Sequence, residues 1–353
     1  MDMTPQSSPD FVQRCLPAYD IGELKDVQAF GGTAGKTWRV VTDRGAWLLR
    51  LRGLRTSSDE LIAFDHGLRQ HLLGRRIPTA TPVPTRAGQT VVRIDDRALE
   101  LYAFIDGVGM RDSHARHILA EASRTLARLH RASVSYPAAQ ALPPVAQYAS
   151  LGVPDASDRM EDPGLLCRVY DQFLKHPDAQ AYGDAAQTAT RWLERLRTRF
   201  DRNVYDGLPH TVTHGDFTLA NLLFDEHGRL IGVFDYDWAR WAPRVRDIAD
   251  GMFFIGGRRR TPLRAEDIWS LTEAAELTVD RCALWLREYR DIGALAAAEF
   301  ETIPLAFGAR WLSVRAEGTA KVAPEDRLRF CFGNLAEPLA WLDANWPAVM
   351  ALV

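Results

Sequence analysis

The sequence predicts an α+β fold in which a small antiparallel β-sheet with one helix comes first and a larger, mostly helical lobe follows. Short apolar runs separated by turn residues fill residues 30–105, which is typical of antiparallel strands. From residue 115 onward apolar residues recur at helical spacing, and one hairpin pattern near residue 225 interrupts them. A chain of 353 residues suits two lobes better than one core. We expect them to cover residues 1–105 and 106–353.

The composition is that of an ordinary globular protein, with 46% hydrophobic and 25% charged residues. A net charge of -3 gives no basic surface for nucleic acid, and no apolar run approaches the ~20 residues of a membrane helix. The polar first residues do not resemble a signal peptide, and the four cysteines are too far apart for a metal cluster. We therefore expect a cytoplasmic protein without nucleic-acid or membrane partners. The oligomeric state stays open.

A glycine-bearing segment, GGTAGKT at residues 31–37, is the first informative feature of the N-terminal lobe. It approaches the P-loop pattern G-x-x-x-x-G-K-[ST], but Phe30 stands where the first glycine belongs. A P-loop also opens a helix, whereas residues 38–42, 43–45 and 46–51 predict a strand, a turn and a second strand. A glycine loop before such a strand can cover nucleotide phosphates with backbone N–H groups, or it can be a plain hairpin.

A helix is predicted over residues 58–73, because Leu61, Phe64, Leu68 and Leu72 fall on one helical face. Two further strands, at residues 91–94 and 98–105, flank the turn at 95–97. The aromatic end of the second strand is consistent either with core packing or with a hinge between lobes.

The stretch from His214 to Asp247 organises the rest of the chain. Its apolar runs at residues 222–224 and 230–234 are separated by four turn residues ending in Gly228, which predicts a β-hairpin. Asp216 and Asn221 precede the first strand, and two acids follow the second. Because a hairpin returns its outer ends to one place, we expect these polar side chains to converge.

The chemistry that fits this group is phosphoryl transfer. Such a reaction needs a carboxylate that accepts the proton of an attacking hydroxyl, and oxygen ligands that hold Mg²⁺ on the nucleotide phosphates. The spacing Asp216-x4-Asn221 equals that of the protein-kinase catalytic loop, and Asp235 stands where those enzymes have the metal-binding Asp of D-F-G.

These motifs resemble the aminoglycoside phosphotransferase/choline kinase family, small-molecule kinases of the protein-kinase-like fold. The resemblance rests on His214-Gly215-Asp216-x4-Asn221, on Asp235-Tyr236-Asp237 and on Asp247-Ile248-Ala249. It implies a bilobal fold with ATP and Mg²⁺ as cofactors and a hydroxyl-bearing small molecule as acceptor. That acceptor is an aminoglycoside-like antibiotic, an amino alcohol such as homoserine or choline, or a sugar-like metabolite.

The resemblance also implies a role for each matching residue. Asp216 is the catalytic base, Asn221 and Asp235 are metal ligands, and Asp237 is a secondary metal or substrate contact. The nucleotide-binding residues are Gly31, Gly32, Thr33, Gly35, Lys36, Thr37, Arg50, Asp65, Tyr102 and Phe104. Arg50 is expected to hold phosphates and to pair with Asp65 or, failing that, with Glu60. His214 and Asp247 are structural residues near the site, with Asp247 an N-cap or an anchor, and Trp238 and Trp241 could wall the acceptor pocket.

Two other functions remain open from the sequence. A bacterial protein Ser/Thr kinase has the same fold, but no A-P-E segment follows Asp237 and little room is left for an activation loop before Asp247. A nucleotide-binding scaffold without turnover is mildly favoured by Asp65, since related kinases usually have Glu there. The intact set of Asp216, Asn221 and Asp235 argues against it.

Overall fold

The computed structural model describes residues 9–31, 36–109, 115–141, 163–259, 267–273 and 275–353. An antiparallel sheet with the strand order β1-β2-β3-β5-β4 forms the N-terminal part. Its strands are β1 (Leu24–Gly31), β2 (Lys36–Thr42), β3 (Gly45–Leu51), β4 (Val92–Ile94) and β5 (Arg97–Ala103). Helix α1 (Pro9–Cys15) precedes the sheet, and α2 (Asp59–Leu73) follows β3 with the Ser58 hydroxyl accepting a hydrogen bond from Leu61 N.

The second part is mostly helical. Its helices are α3 (Arg116–Ser133), α4 (Pro163–Leu174), α5 (Gly183–Arg199), α6 (Arg202–Gly207), α7 (Val245–Gly251), α8 (Val279–Gly293), α9 (Ala297–Gly318), α10 (Arg327–Phe332) and α11 (Ala336–Ala351). Short strands lie among them: β6 (Val108–Gly109), β7 (His210–Thr213), β8 (Leu222–Phe224), β9 (Leu230–Val233), β10 (Arg240–Pro243), β11 (Arg258–Arg259) and β12 (Ala275–Glu276). Among the described residues, no helix combines the length and apolarity needed to cross a membrane.

The buried hydrophobic residues of the described part of the chain form two cores. One lies between α1 and one face of the N-terminal sheet and includes Trp38, Leu49 and Leu101. The other fills the helical part, and it also takes the apolar face of α2 through Phe64 and Leu68. Helix α2 therefore belongs to the first lobe by sequence but packs with the second. The division into domains at residue 105 stays a prediction.

The order of strands and helices follows the sequence-based expectation closely, with one exception near the C-terminus. Leu328, Phe332, Leu335 and Leu339 recur at helical spacing, so the sequence predicts a single helix there, kinked near Pro338, and this prediction is wrong. Helices α10 and α11 are separate, and Asn334 between them has φ +56°, a backbone conformation that no helix contains. Pro338 lies in the first turn of α11, where its missing N–H costs little.

The packing of α7 depends on a glycine. Trp285 of α8 donates from Nε1 to Ile248 O at 3.0 Å, which fixes its ring against α7. A Cβ at Gly251 would lie 2.0 Å from Trp285 Cζ2. Only glycine fits this contact.

We expect Gly251→Ala to lower the free energy of unfolding by about 1–3 kcal/mol, because the buried tryptophan has no room to shift. Urea denaturation of the variant and of the parent protein measures the difference. Gly183→Ala is the control, since its Cβ would meet nothing within 4 Å and its backbone is helical. An unchanged unfolding midpoint for Gly251→Ala would contradict this account of the packing.

Candidate active site

The predicted hairpin is present and brings polar residues to one end. Strands β8 and β9 pair antiparallel, with Gly228 at φ +75° in the turn. Phe234 N donates to Asn221 O at 2.9 Å, so the residues flanking the two strands remain in register. Asp235 follows directly and has φ +61°, an unusual conformation for a non-glycine residue that redirects the chain at the site.

The segment between β7 and β8 carries Asp216. Asn221 Nδ2 donates to the Asp216 backbone oxygen at 2.8 Å and to Asp216 Oδ2 at 2.9 Å. These two bonds close the loop on itself and orient the carboxylate. Gly215 has φ +82°, and a Cβ there would lie 2.3 Å from Trp238 O, so the loop turns at a glycine against the chain that follows β9.

Asp247 holds this loop from behind. Its Oδ2 accepts from His214 N at 2.5 Å and its Oδ1 from Gly215 N at 3.0 Å. His130 of α3 donates from Nε2 to the same carboxylate at 3.1 Å and accepts from Tyr289. Burial alone would raise the pKa of Asp247, but the hydrogen bond from His130 and the positive charge of Arg246 act against it, and the pKa lies well below its usual range.

Of the two roles expected for Asp247, N-cap or anchor, the structure shows the anchor. Helix α7 begins at Val245, so Asp247 lies in its first turn and satisfies N–H groups of the loop. His214 is also structural: its Nε2 donates to Phe234 O at 2.9 Å and its Nδ1 accepts from Asp216 N at 3.2 Å.

The electrostatic environment raises the pKa of Asp216. Burial is the largest cause, and the negative charge of Asp235 adds to it, while Arg310 and His214 act in the opposite direction. The two acids belong to the same end of the hairpin, since Asn221 bonds Asp216 through its side chain and Phe234, next to Asp235, through its backbone. A carboxylate with a raised pKa is a better proton acceptor than an ordinary surface Asp.

The expected ion pair between Arg50 and Asp65 is not formed. Arg50 Nη2 instead donates to Asp235 Oδ1 at 3.1 Å and to Asp237 Oδ2 at 2.8 Å. Asp65 is bonded by two other arginines: Arg52 Nη1 lies 2.8 Å from Asp65 Oδ2, and Arg69 Nε, one turn along α2, lies 2.5 Å from Asp65 Oδ1. Side chains two residues apart project from the same face of an extended chain, so the sequence could not tell which arginine would reach α2. The alternative partner Glu60 is exposed.

Arg52 is the centre of a buried network. Its side chain is 1% exposed and also donates to Glu100 Oε1 and to Asp237 Oδ1, both at 2.7 Å. Asp65, His66 and Glu100 bring potential metal-ligating atoms close together. Arg52 Nη1 already lies between the two carboxylates, so this cluster contains its own cation and is an ion-pair network.

Only some of the residues that were predicted to bind the nucleotide are among the described residues. Gly32, Thr33 and Gly35 lie outside them, whereas Gly31, Lys36 and Thr37 belong to strands β1 and β2. Phe104 N donates to Ala46 O at 3.0 Å, and the hydroxyl of the buried Tyr102 donates to Glu100 Oε2 at 3.0 Å. Both groups form hydrogen bonds within the N-terminal lobe. An adenine base at this hinge would therefore have to bond other backbone atoms.

A small aromatic cavity lies between α7 and α9, and it was not predicted. Its volume is about 10 Å³, which is roughly the space that one water molecule needs. The lining residues come from α7, from the π-helical turn Met252–Gly256 after it, and from α9: Ala249, Asp250, Phe253, Phe254, Phe307, Arg310, Trp311 and Val314. Neither Trp238 nor Trp241 contributes to it. Trp238 is exposed beside Gly215, and Trp241 stacks on His210 at a ring distance of 6.1 Å.

The sequence contains weak signals for Arg52, Glu100 and Arg310, three residues that were not predicted to belong to the site. Arg52 follows Arg50 at the spacing that shares a strand face, and Glu100 is a lone acid in an apolar strand. Arg310 is likewise the only charge in the run LAFGARWLSV at residues 305–314. An isolated charge in an apolar element is costly to bury and signals a partner elsewhere in the fold.

Known proteins resemble this chain over most of its length. A model described as the phosphotransferase enzyme family matches residues 26–277. A homoserine kinase of Rhodospirillum rubrum is 26% identical over 299 residues, which cover 84% of this chain and 81% of that protein.

Solved kinase structures share the fold at low sequence identity. An amicoumacin kinase in complex with AMP-PNP, Ca²⁺ and Ami has a TM-score of 0.64 at 14% identity, covering 97% of this chain and 93% of that one. A microcompartment-associated aminopropanol kinase has a TM-score of 0.66 at 17% identity, covering 97% and 98%. The predicted α+β, protein-kinase-like fold is confirmed.

We expect Asp247→Asn to lower the free energy of unfolding by about 2–3 kcal/mol, because the N–H groups of the loop lose hydrogen bonds to a charged carboxylate. The same change should reduce kcat at least tenfold, because those bonds orient the loop that carries Asp216. Urea denaturation and steady-state kinetics measure the two effects. Asp201→Asn is the control, since this N-cap carboxylate accepts from Val204 N at an exposed helix end and Asn caps equally well. Equal behaviour of the two variants would contradict the anchoring role.

Acid should weaken the Arg52 network through Glu100. Burial alone would raise the pKa of Glu100, but Arg52 and the hydrogen bond from His66 hold it at about 2, against its usual 4.5. Between these values the unfolded chain binds more protons at this site than the folded one, so stability falls as the pH falls through this window, by about 3 kcal/mol. Urea denaturation from pH 5 to pH 2 should show a shallower decline for Glu100→Gln. Parallel declines in the two proteins would argue against this origin.

Proposed function

The chain belongs to the phosphotransferase enzyme family and is an ATP-dependent kinase of a small-molecule hydroxyl, and we propose that its acceptor is homoserine or a closely related amino alcohol. The observation that carries the catalytic assignment is the loop closed by Asn221 on Asp216 beside Asp235. The acceptor is supported by the homoserine kinase of Rhodospirillum rubrum, which matches 84% of the chain.

Asp216 is the proton acceptor in this proposal. Its carboxylate is oriented by the Asn221 amide and supported from behind by the bonds of Asp247 to His214 N and Gly215 N. The raised pKa strengthens it as a base for the acceptor hydroxyl, whose oxygen then attacks the γ-phosphate of ATP.

The donor set fits Mg²⁺. Asn221 uses Nδ2 for both bonds to Asp216, so its carbonyl oxygen faces the opposite direction, and the Asp235 side chain is 40% exposed. Amide and carboxylate oxygens are the hard ligands that Mg²⁺ prefers, and few are needed because the ion keeps waters and takes phosphate oxygens. When bound, the ion supplies neutralisation of the charge on the phosphates. Asn221 and Asp235 would hold it.

Arg50 is the phosphate-binding cation in this proposal, and Arg52 is its support. Arg50 keeps 14% of its side chain exposed beside Asp235, whereas Arg52 is enclosed by acids. The guanidinium of Arg50 presents the fork geometry that suits phosphate oxygens. Asp237 bonds both arginines and positions them, which makes it a structural support more than a metal ligand.

We expect the parent protein to release ADP fastest with homoserine when it is screened against homoserine, choline, aminoglycosides and sugars. Asp216→Asn should lower kcat by about 10²–10⁴ without weakening ATP binding, since the amide cannot accept the proton. Asp178→Asn is the matched control, because its side chain is 81% exposed and remote from the loop in sequence. Full activity of Asp216→Asn would contradict the catalytic role, and faster turnover of another acceptor class would contradict homoserine.

A further inference from the structure

Arg50 and Asp235 are bonded to each other, although the proposed function gives them different ligands. Arg50 Nη2 lies 3.1 Å from Asp235 Oδ1. In that proposal the guanidinium binds nucleotide phosphates and the carboxylate binds the metal ion. A divalent ion on either oxygen of Asp235 would lie close to the guanidinium, and two cations beside one carboxylate repel each other. The roles of Arg50 and Asp235 are therefore coupled.

Asp237 is the second partner of the same nitrogen, and it holds Arg50 more firmly than Asp235 does. Arg50 Nη2 lies 2.8 Å from Asp237 Oδ2, which is shorter than its distance to Asp235. The Asp237 side chain is 9% exposed, whereas that of Asp235 is 40% exposed. Arg52 fixes the other oxygen of Asp237 at 2.7 Å. Because water screens exposed ion pairs more than buried ones, the bond to Asp235 is the one that can be exchanged.

The Arg50 guanidinium also has N–H groups left for another anion. Its Nη1 lies 3.9 Å from Glu100 Oε2, which is too far for a hydrogen bond. Glu100 is bonded by Arg52 and His66 instead. Among the described residues, only Nη2 of the Arg50 side chain donates hydrogen bonds. Nε and Nη1 can therefore turn to phosphate oxygens while the bond to Asp237 is kept.

The backbone around Asp235 is the fixed side of the pair. Phe234 N donates to Asn221 O at 2.9 Å, which holds the residue before Asp235 against the catalytic loop. The aspartate side chain is short, whereas the arginine side chain is long and has several rotatable bonds. Arg50 is therefore the partner that moves when the contact opens.

We propose that Arg50 is a positioning residue that neutralises Asp235 and releases it for metal binding when nucleotide phosphates bind the guanidinium. The inference rests on the proposed function, because it takes from it the nucleotide and the roles of Asn221 and Asp235. Arg50 keeps its bond to Asp237, so only the bond to Asp235 is exchanged. The exchange accompanies binding and is complete before phosphoryl transfer, which then takes place among fixed charges.

This exchange makes the binding of metal ion and nucleotide cooperative. In a protein without nucleotide, a divalent ion has to compete with Arg50 for Asp235, and its affinity is reduced. Nucleotide phosphates give Arg50 another anion and remove this competition. By thermodynamic linkage, metal at Asp235 must strengthen nucleotide binding by the same factor. Metal and nucleotide are therefore expected to bind together, and metal alone only weakly.

The first experiment compares equilibrium binding to the parent protein and to Arg50→Gln, with no acceptor present. Binding of Mn²⁺ alone is followed by the EPR signal of the free ion, and binding of MgADP by calorimetry. We expect Arg50→Gln to bind Mn²⁺ about three- to tenfold more tightly, which is the worth of a partly exposed ion pair. It should bind MgADP about 10- to 100-fold more weakly, because charged contacts to phosphate are lost.

Opposite changes in the two affinities would support the inference, since a merely structural role of Arg50 would weaken both. An unchanged or weaker affinity for Mn²⁺ would overturn it, because Arg50 would then leave Asp235 available or help it to bind metal. Unchanged binding of MgADP would overturn the phosphate-binding role of Arg50 and the inference with it. These results do not depend on the acceptor, which the screen with homoserine tests separately.

Two further variants separate the contact from the charge. Arg44→Gln removes the same charge from an exposed pair with Asp20, about 20 Å from Arg50 along the extended strand, and should change neither affinity. An equal gain of Mn²⁺ affinity in Arg44→Gln would reflect net charge alone and would overturn the inference. Arg50→Lys keeps the cation, so its Mn²⁺ affinity should lie nearer to that of the parent protein than to that of Arg50→Gln. The reverse order would contradict the proposed neutralisation of Asp235.

Asp235→Asn tests the same bond from the other side and decides the inference if Arg50→Gln does not fold. Asn adopts the positive φ of this partly exposed position readily, so the variant should fold. With EDTA present, it should bind ADP about three- to tenfold more tightly than the parent protein, because Arg50 is free for the phosphates. Asp178→Asn removes the same charge at an exposed site and should not change this affinity. Unchanged or weaker binding of ADP by Asp235→Asn would overturn the inference.

Discussion

The architecture depends on one buried cation. The Arg52 guanidinium, immediately after β3, bonds carboxylates from three places: Asp65 on α2, Glu100 on β5, and Asp237 beyond β9. Removing this guanidinium would break three buried ion pairs at once and leave Asp65 only Arg69 and Asp237 only Arg50 as a cationic partner, which is a costly change in a protein interior. The network therefore joins the sheet, its helix and the hairpin of the second lobe, and it fixes the position from which Arg50 reaches Asp235.

A second buried charge holds the loop that precedes the same hairpin. Asp247 accepts two backbone N–H groups from the loop before Asp216 and a third bond from His130. The polar residues of the site thus lie between two fixed points, one on each side of β8 and β9. Rigid support of this kind matters because phosphoryl transfer offers a protein little covalent chemistry, so most of the catalysis comes from placing charges that do not reorganise.

The sequence predicted what depends on local patterns. The hairpin followed from two apolar runs around a glycine turn, and the convergence of Asp216, Asn221 and Asp235 followed from the hairpin. Ion pairs between residues far apart in the chain could not be predicted from the sequence. Arg50 and Arg52 share a strand face, so only the three-dimensional position of α2 decides which of them meets Asp65. Asp250 and Arg310 are 60 residues apart, and no periodicity links them.

Helix α7 contacts both the loop that carries Asp216 and the helix α9. One short helix carries Asp247, which orients the catalytic loop, and Asp250, which lines the cavity. These two residues are three positions apart, which is less than one helical turn. Because a helix is stiff, the distance between the loop that Asp247 holds and the cavity that Asp250 lines is fixed. The π-helical turn that follows widens the helix where Phe253 and Phe254 line the cavity, and such turns occur often at functional sites. The Asp250–Arg310 pair between α7 and α9 and the Asp247 bonds to the loop that carries Asp216 are therefore held at a fixed spacing by α7.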